Sequence, residues 1–124
     1  MITKLTLLGD PRTKKNSQRI IVVGGKTRII PSAQYEAYEE ACLWQISGKY
    51  QMIYKPVNVK CVYYLGTDRE ADLVNLLEAT LDILVAAFVL SDDNRRIVAS
   101  HDGCRVYVDR KNPRVEIEIT EAEE

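Results

Sequence analysis

The amino-acid sequence predicts an α+β protein, a single compact domain with a mixed β-sheet and two main helices, and three observations carry that reading. At 124 residues and 14.1 kDa the chain suits one domain, 1–124, and is too short for two comfortable ones. Two segments repeat apolar residues at helical spacing, whereas the stretches around them are β-branched and alternating. Apolar residues at 46% and charged residues at 28% sit near globular averages, which excludes a disordered or collagen-like chain.

Taken in order, residues 1–8 set Ile2, Leu5 and Leu7 among Thr3, Lys4 and Thr6, an opening strand that Gly9-Asp10-Pro11 stops. Residues 12–18 are polar and basic, hence a loop. Ile20-Ile21-Val22-Val23 and residues 27–30, joined by Gly24-Gly25, read as a β-hairpin. Ser32 is placed to cap a helix to about Ser47, with Tyr35, Tyr38, Cys42, Leu43 and Ile46 on one side and Gly48 ending it. Residues 57–65 form a strand introduced by Pro56. Residues 72–87 form a helix apolar nearly all round, so most of its girth is expected to be buried. Its polar residues Asp72, Asn75, Glu78 and Asp82 fall at about 0°, 300°, 240° and 280°, one stripe on a single side. After the loop Ser91-Asp92-Asp93-Asn94, residues 95–100 read as a strand, His101-Asp102-Gly103 as a turn and residues 105–108 as the hairpin partner. Residues 114–119 form the last strand, and 120–124 a frayed tail.

Three cysteines, Cys42, Cys61 and Cys104, are odd in number and widely spaced, which excludes a disulfide framework or a structural zinc site and fits a reducing cytoplasm. No apolar run reaches about 18 residues and no secretory pattern opens the chain, so no membrane association is expected. Phosphate-loop, dinucleotide-fold and serine-hydrolase motifs are absent, and no nucleotide cofactor is expected. The net charge of −1 hides an asymmetry: ten Lys and Arg face four acids in residues 1–60, and seven face fourteen thereafter. Such a chain can present a positive surface to a polyanion beside carboxylates, or simply carry scattered surface charge.

Carboxylates are the remaining candidates for chemistry. Hard ions such as Mg²⁺ take oxygen ligands, and Asp72, Glu78, Asp92 and Asp93 can supply them for metal-assisted phosphodiester cleavage. Each has a plainer role open to it: Asp72 as a helix cap, Asp92-Asp93-Asn94 as a turn, Glu78 and Asp82 as a solvated face, His101 as a turn residue. Arg12, Lys14, Lys15, Asn16 and Arg19, with Ser17 between, are side chains of the kind that bond phosphate oxygens.

The run Asp72-Leu73-Val74-Asn75-Leu76, with Asp82 and then Phe88 to the Asp92-Asp93 pair, resembles the RusA-type Holliday junction resolvases of phages and prophages. Gly9-Asp10-Pro11 with Asn16, and Asn112-Pro113-Arg114-Val115-Glu116-Ile117, are similar to a subgroup from phages of Gram-positive bacteria. The resemblance implies an intertwined homodimer in the bacterial host cytoplasm that nicks four-way DNA junctions in recombination and repair. It implies Mg²⁺, with Mn²⁺ as a substitute, and products bearing 3′-hydroxyl and 5′-phosphate ends.

Carried over by position, the first catalytic aspartate of the family matches Asp72 and the last matches Asp93, beside Asp92. Val74 stands where the family has its second aspartate, and Glu78 where the best-known members have a lysine. Glu78 lies on the polar stripe and is expected to replace the missing carboxylate in the metal site, with Lys14 or Lys15 replacing the cation. Val74, about 200° round from Asp72, is expected to face the core. Arg12, Lys14, Lys15, Asn16 and Arg19, together with Arg69, Arg95 and Arg96, are expected to hold DNA phosphates. A helix of about 16 residues separates Asp72 from the Asp93 loop by roughly 24 Å, so the loop folds back or the two acids meet across a two-fold interface. Cleavage of other branched DNA such as flaps and forks, or junction binding without catalysis, are the alternatives.

Overall fold

The computed structural model describes residues 2–14 and 18–122. Along the chain run β1 (Ile2–Leu8), β2 (Gln18–Val23), β3 (Lys26–Pro31), α1 (Ala33–Ile46), β4 (Val57–Leu65), α2 (Leu73–Ala86), β5 (Val98–Ser100), β6 (Arg105–Val108) and β7 (Arg114–Glu121). Strict alternation in β4 sends Val57, Val59, Cys61, Tyr63 and Leu65 to one side, all fully buried. Antiparallel pairing gives β1-β7-β4, and the other edge of β4 is taken by β5 and β6, so the sheet is mixed.

One apolar core joins that face of β4 to Leu5, Leu7, Val115, Ile117 and Ile119 of the neighbouring strands and to the two helices. Ser32 caps α1 by accepting from the Tyr35 N–H at 3.1 Å, and Tyr35, Tyr38, Cys42 and Ile46 are buried, as their spacing requires. The helix α2 is fixed to the sheet by a polar bolt: the hydroxyls of Thr80 and Tyr63 are 2.7 Å apart, and Thr80 also donates to the Leu76 carbonyl. The β2–β3 hairpin turns at Gly24-Gly25 and leaves Ile20, Val22 and Ile29 exposed.

Four expectations are corrected. β5 and β6 are not a hairpin, because both run parallel to β4, pairing at its start and at its end. The 101–104 segment between them bulges, and side chains patch the ladder. His101 Nδ1 lies 2.8 Å from the Val59 carbonyl, Cys104 Sγ accepts the Cys61 N–H at 3.3 Å, and the Asn58 carboxamide oxygen accepts from Ser100 and Asp102. Residues 95–97 are a turn, because Asn94 accepts the Arg96 N–H on its side chain and those of Ile97 and Val98 on its carbonyl. The chain does not fray at 120: Thr120 pairs with Ile2 and Asn58, and the Ala122 N–H reaches the Pro56 carbonyl.

The fourth correction concerns α2. Leu76, Ala79, Thr80, Ile83 and Leu84 form its buried side, an arc from about 340° to 120° on the angular scale used above. Val74 lies beyond that arc and is 68% exposed instead of facing the core, as is Phe88 at 69%. Leu77, Leu81 and Val85, between about 140° and 220°, are only partly covered. The helix α2 therefore has a core side, a polar stripe and a partly covered apolar side.

Candidate active site

Asp72 caps α2, its backbone extended (φ −83°, ψ 118°) and its carboxylate accepting the Val74 N–H at 3.1 Å. The side chain is exposed, and a second oxygen remains to accept another partner. The plainer role and the catalytic role are compatible, because an N-cap uses one lone pair.

Along the stripe, Glu78 is exposed while Asn75 and Asp82 are half-buried. Lys14 comes from the loop after β1 to meet Asp82, Nζ to Oδ2 at 2.9 Å. A lysine thus reaches the acidic stripe from outside the helix. Lys15 and Asn16 lie outside the described residues.

The acidic loop follows the far end of α2. Asp92 accepts the Asp93 N–H at 2.7 Å and the Asn94 side chain at 3.1 Å, so turn chemistry occupies Asp92. The Asp93 carboxyl is pushed above the usual aspartate range, first by desolvation, then by the hydrogen bond and charge of Asp92, with a further contribution from the charge of Asp82. Asp82, Asp92 and Asp93 therefore form one negative neighbourhood.

Asp72 is not among the groups that perturb Asp93. The 14 residues of α2 set the two helix ends about 21 Å apart. Among the described residues no three His, Cys, Asp or Glu side chains gather into a group able to hold a metal ion. Glu78, Asp82 and Lys14 thus belong to the middle of the stripe, Asp72 to one end and Asp92-Asp93 to the other.

The basic residues divide likewise. Arg12 and Arg69 converge on Asp10, at 3.0 Å and 2.8 Å. Arg19 pairs with Glu36 at 3.1 Å and donates to the Pro31 carbonyl. Arg95 and Arg96 are exposed beside the acidic loop. His101 is half-buried beside the β5–β6 connection, where Cys104 and the Val59 carbonyl raise its pKa, and there it serves the sheet. Two residues that sequence reasoning left out of the site are Asp82 and Asp10. The first was visible as a fourth member of the stripe; the second read only as a turn residue.

Comparison with known proteins follows from this geometry. Residues 9–120 match the family model described as endodeoxyribonuclease RusA, which takes in every element from β2 to β6 and most of β7. No curated protein matches the chain.

Proposed function

Since this chain belongs to the RusA endodeoxyribonuclease family, we propose that it is a Mg²⁺-dependent homodimeric resolvase that cuts four-way DNA junctions by paired symmetric nicks, in the cytoplasm of a bacterial host. The supporting observation is the gathering of carboxylates at Asp93, whose pKa is raised by desolvation first and then by Asp92 and Asp82. A hard divalent ion relieves such crowding, and the donor set, all oxygen, fits it. Asp72, Asp93 and Glu78 would hold the ion, with Mn²⁺ as a substitute. When bound it lowers the pKa of the attacking water and stabilises charge on the phosphoryl oxygens.

The remaining work falls to the chain's own side chains. Asp93 must be ionised to act as a ligand, so its raised pKa sets the acid limb of the activity. Lys14 neutralises Asp82 on the stripe that Glu78 and Asn75 share. Arg12, Arg19, Arg69, Arg95 and Arg96, with Lys14, Lys15 and Asn16, hold phosphates, giving affinity that falls steeply with salt.

The dimer supplies what one protomer lacks. Exposed Val74 with half-buried Leu77, Leu81 and Val85 makes a partly covered apolar side on α2, continued by exposed Phe88 after the helix, next to the polar stripe. Pairing two copies through that side about a two-fold axis runs the helices antiparallel when the axis is perpendicular to them. The N-terminal end of one helix then lies beside the C-terminal end of the other. Asp72 meets Asp93 of the partner subunit, and the stripe borders the interface.

The test is incubation of purified protein with a fixed four-way junction, a flap, a fork and a linear duplex, with and without Mg²⁺, alongside Asp93→Asn. Paired nicks in the junction alone, dependent on Mg²⁺ and absent in the variant, are the expected result. Preferential flap or fork cleavage, or binding without nicking, would replace this reading with one of the alternatives.

A further inference from the structure

Asp10 follows the end of β1 and accepts more bonds than a turn requires. One oxygen takes the Gly66 N–H at 2.9 Å and Arg69 Nη1 at 2.8 Å; the other takes Arg12 Nη2 and Arg69 Nη1, both at 3.0 Å. Its seat is made to measure: a Cβ at residue 66 would lie 3.1 Å from Asp10 Oδ2, so Gly66 admits the carboxylate where another residue would crowd it. Arg69 is further held by the Pro11 carbonyl and by Thr67. Two guanidinium groups from segments 57 residues apart in sequence are thus set on one carboxylate, and all three side chains are largely withdrawn from solvent, Asp10 being 20% exposed.

These contacts do not exhaust the donors. Each guanidinium has five N–H groups, and among the described residues Nε of both arginines and Nη1 of Arg12 carry no partner. Arg12 and Arg69 line a cleft with Pro11, Thr13, Glu70 and Leu76, and Arg69 precedes Asp72 by three residues. Glu70 opposes an anion there, so the cleft serves one through the placement of its arginines, not through net charge.

We propose that Asp10 is a positioning residue that holds Arg12 and Arg69 as a two-pronged grip on a single DNA phosphate next to Asp72. The inference rests on the junction-nuclease reading above and adds to it the site where the strand is fixed relative to the catalytic carboxylate. A guanidinium anchored on its Nη side presents its remaining N–H groups in fixed directions, and phosphate oxygens are its matched acceptors.

Charge alone predicts the opposite behaviour, which makes the proposal testable. Removing a carboxylate beside a polyanion should tighten DNA binding, whereas loss of a positioning residue should weaken it. Junction binding is measured in EDTA across a salt series for the wild type, Asp10→Asn, Arg12→Gln and Arg69→Gln, with melting curves for each. Asp10→Asn is expected to weaken binding about tenfold and to flatten the plot of log Kd against log salt by about one phosphate contact or more. With Mg²⁺ present, KM for the junction should rise while kcat at saturation changes little. Combined with Arg12→Gln, the loss should be less than the product of the two single losses.

Binding by folded Asp10→Asn that equals or exceeds the wild type overturns the inference. If that variant does not fold, Arg12→Gln and Arg69→Gln decide: weaker binding with a reduced salt slope in each supports the grip, and unchanged affinity in both overturns it. A wild type that binds no junction overturns the resolvase reading and the inference together, whereas a wild type that binds, with Asp10→Asn unaffected, overturns the inference alone.

Discussion

The two long sides of α2 are built on opposite terms. Toward the sheet, Leu76, Ala79, Ile83 and Leu84 are closed in apolar packing, and the one polar pair, Thr80 and Tyr63, is mutually satisfied at 2.7 Å. Away from it the surface is charged: Asp82 pairs with Lys14 at 2.9 Å, and in the Asp92-Asp93 loop burial and the neighbouring Asp92 and Asp82 raise the Asp93 pKa. The first arrangement minimises free energy by ordinary means. The second gathers carboxylates around Asp93 and offsets only part of their charge, through Lys14 on Asp82, as the proposed metal site requires. One helix therefore acts as anchor and as workplace, and substitutions on its two sides should separate stability from activity.

The largest effect is expected on the anchoring side. Ile83→Ala should cost about 2–5 kcal/mol, read from denaturant melts, because it opens a cavity under β4. Asp93→Asn should lower junction cleavage about 100-fold or more, with a melting temperature equal to or above the wild type's. A parallel loss of both would place Asp93 in the structural half of the comparison. Thr80→Val should cost about 1 kcal/mol by unpairing the Tyr63 hydroxyl in the core, and leave the metal dependence of cleavage untouched.

The pH dependence follows from Asp93. A carboxyl whose pKa is raised on folding favours the folded state below its ordinary unfolded value and loses that contribution as pH rises through the raised one. Cleavage requires the ionised form, so activity should climb across the range where this stability contribution is lost. The smallest difference distinguishes cap from ligand: Asp72→Asn should retain the cap within a few tenths of a kcal/mol of the wild type, whereas Asp72→Ala should cost about 1 kcal/mol. Both should abolish nicking, as measured on a fixed junction.

Local chemistry made much of this legible in the amino-acid sequence. The limits of α2 follow from Asp72 as cap and from the apolar period, and α1 follows from Ser32 and four buried residues at helical spacing. Non-local facts were not legible. Periodicity shows that Val74 is apolar and opposite Asp72, but not that it stays exposed. Residues 95–100 and 105–108 around the turn 101–103 look like a hairpin; only the free edge of β4 makes 98–100 and 105–108 two parallel segments patched by His101 and Cys104. Asp10 reads as punctuation in Gly-Asp-Pro because its partner Arg69 is 59 positions away. The Asp93 neighbourhood was half visible: the Asp92-Asp93 pair stands in the chain, but the contribution of Asp82 depends on how the loop returns along the helix.

The central claim is that Asp72 of one protomer works with Asp93 of the other. Mixing Asp72→Asn with Asp93→Asn, each inactive alone, and allowing subunits to exchange tests it most directly on a labelled four-way junction. Restored nicking confined to one strand per junction is the predicted result, since each mixed dimer carries one intact pair. Continued inactivity of a mixture shown by mass to contain heterodimers would contradict it and place both acids in the same chain.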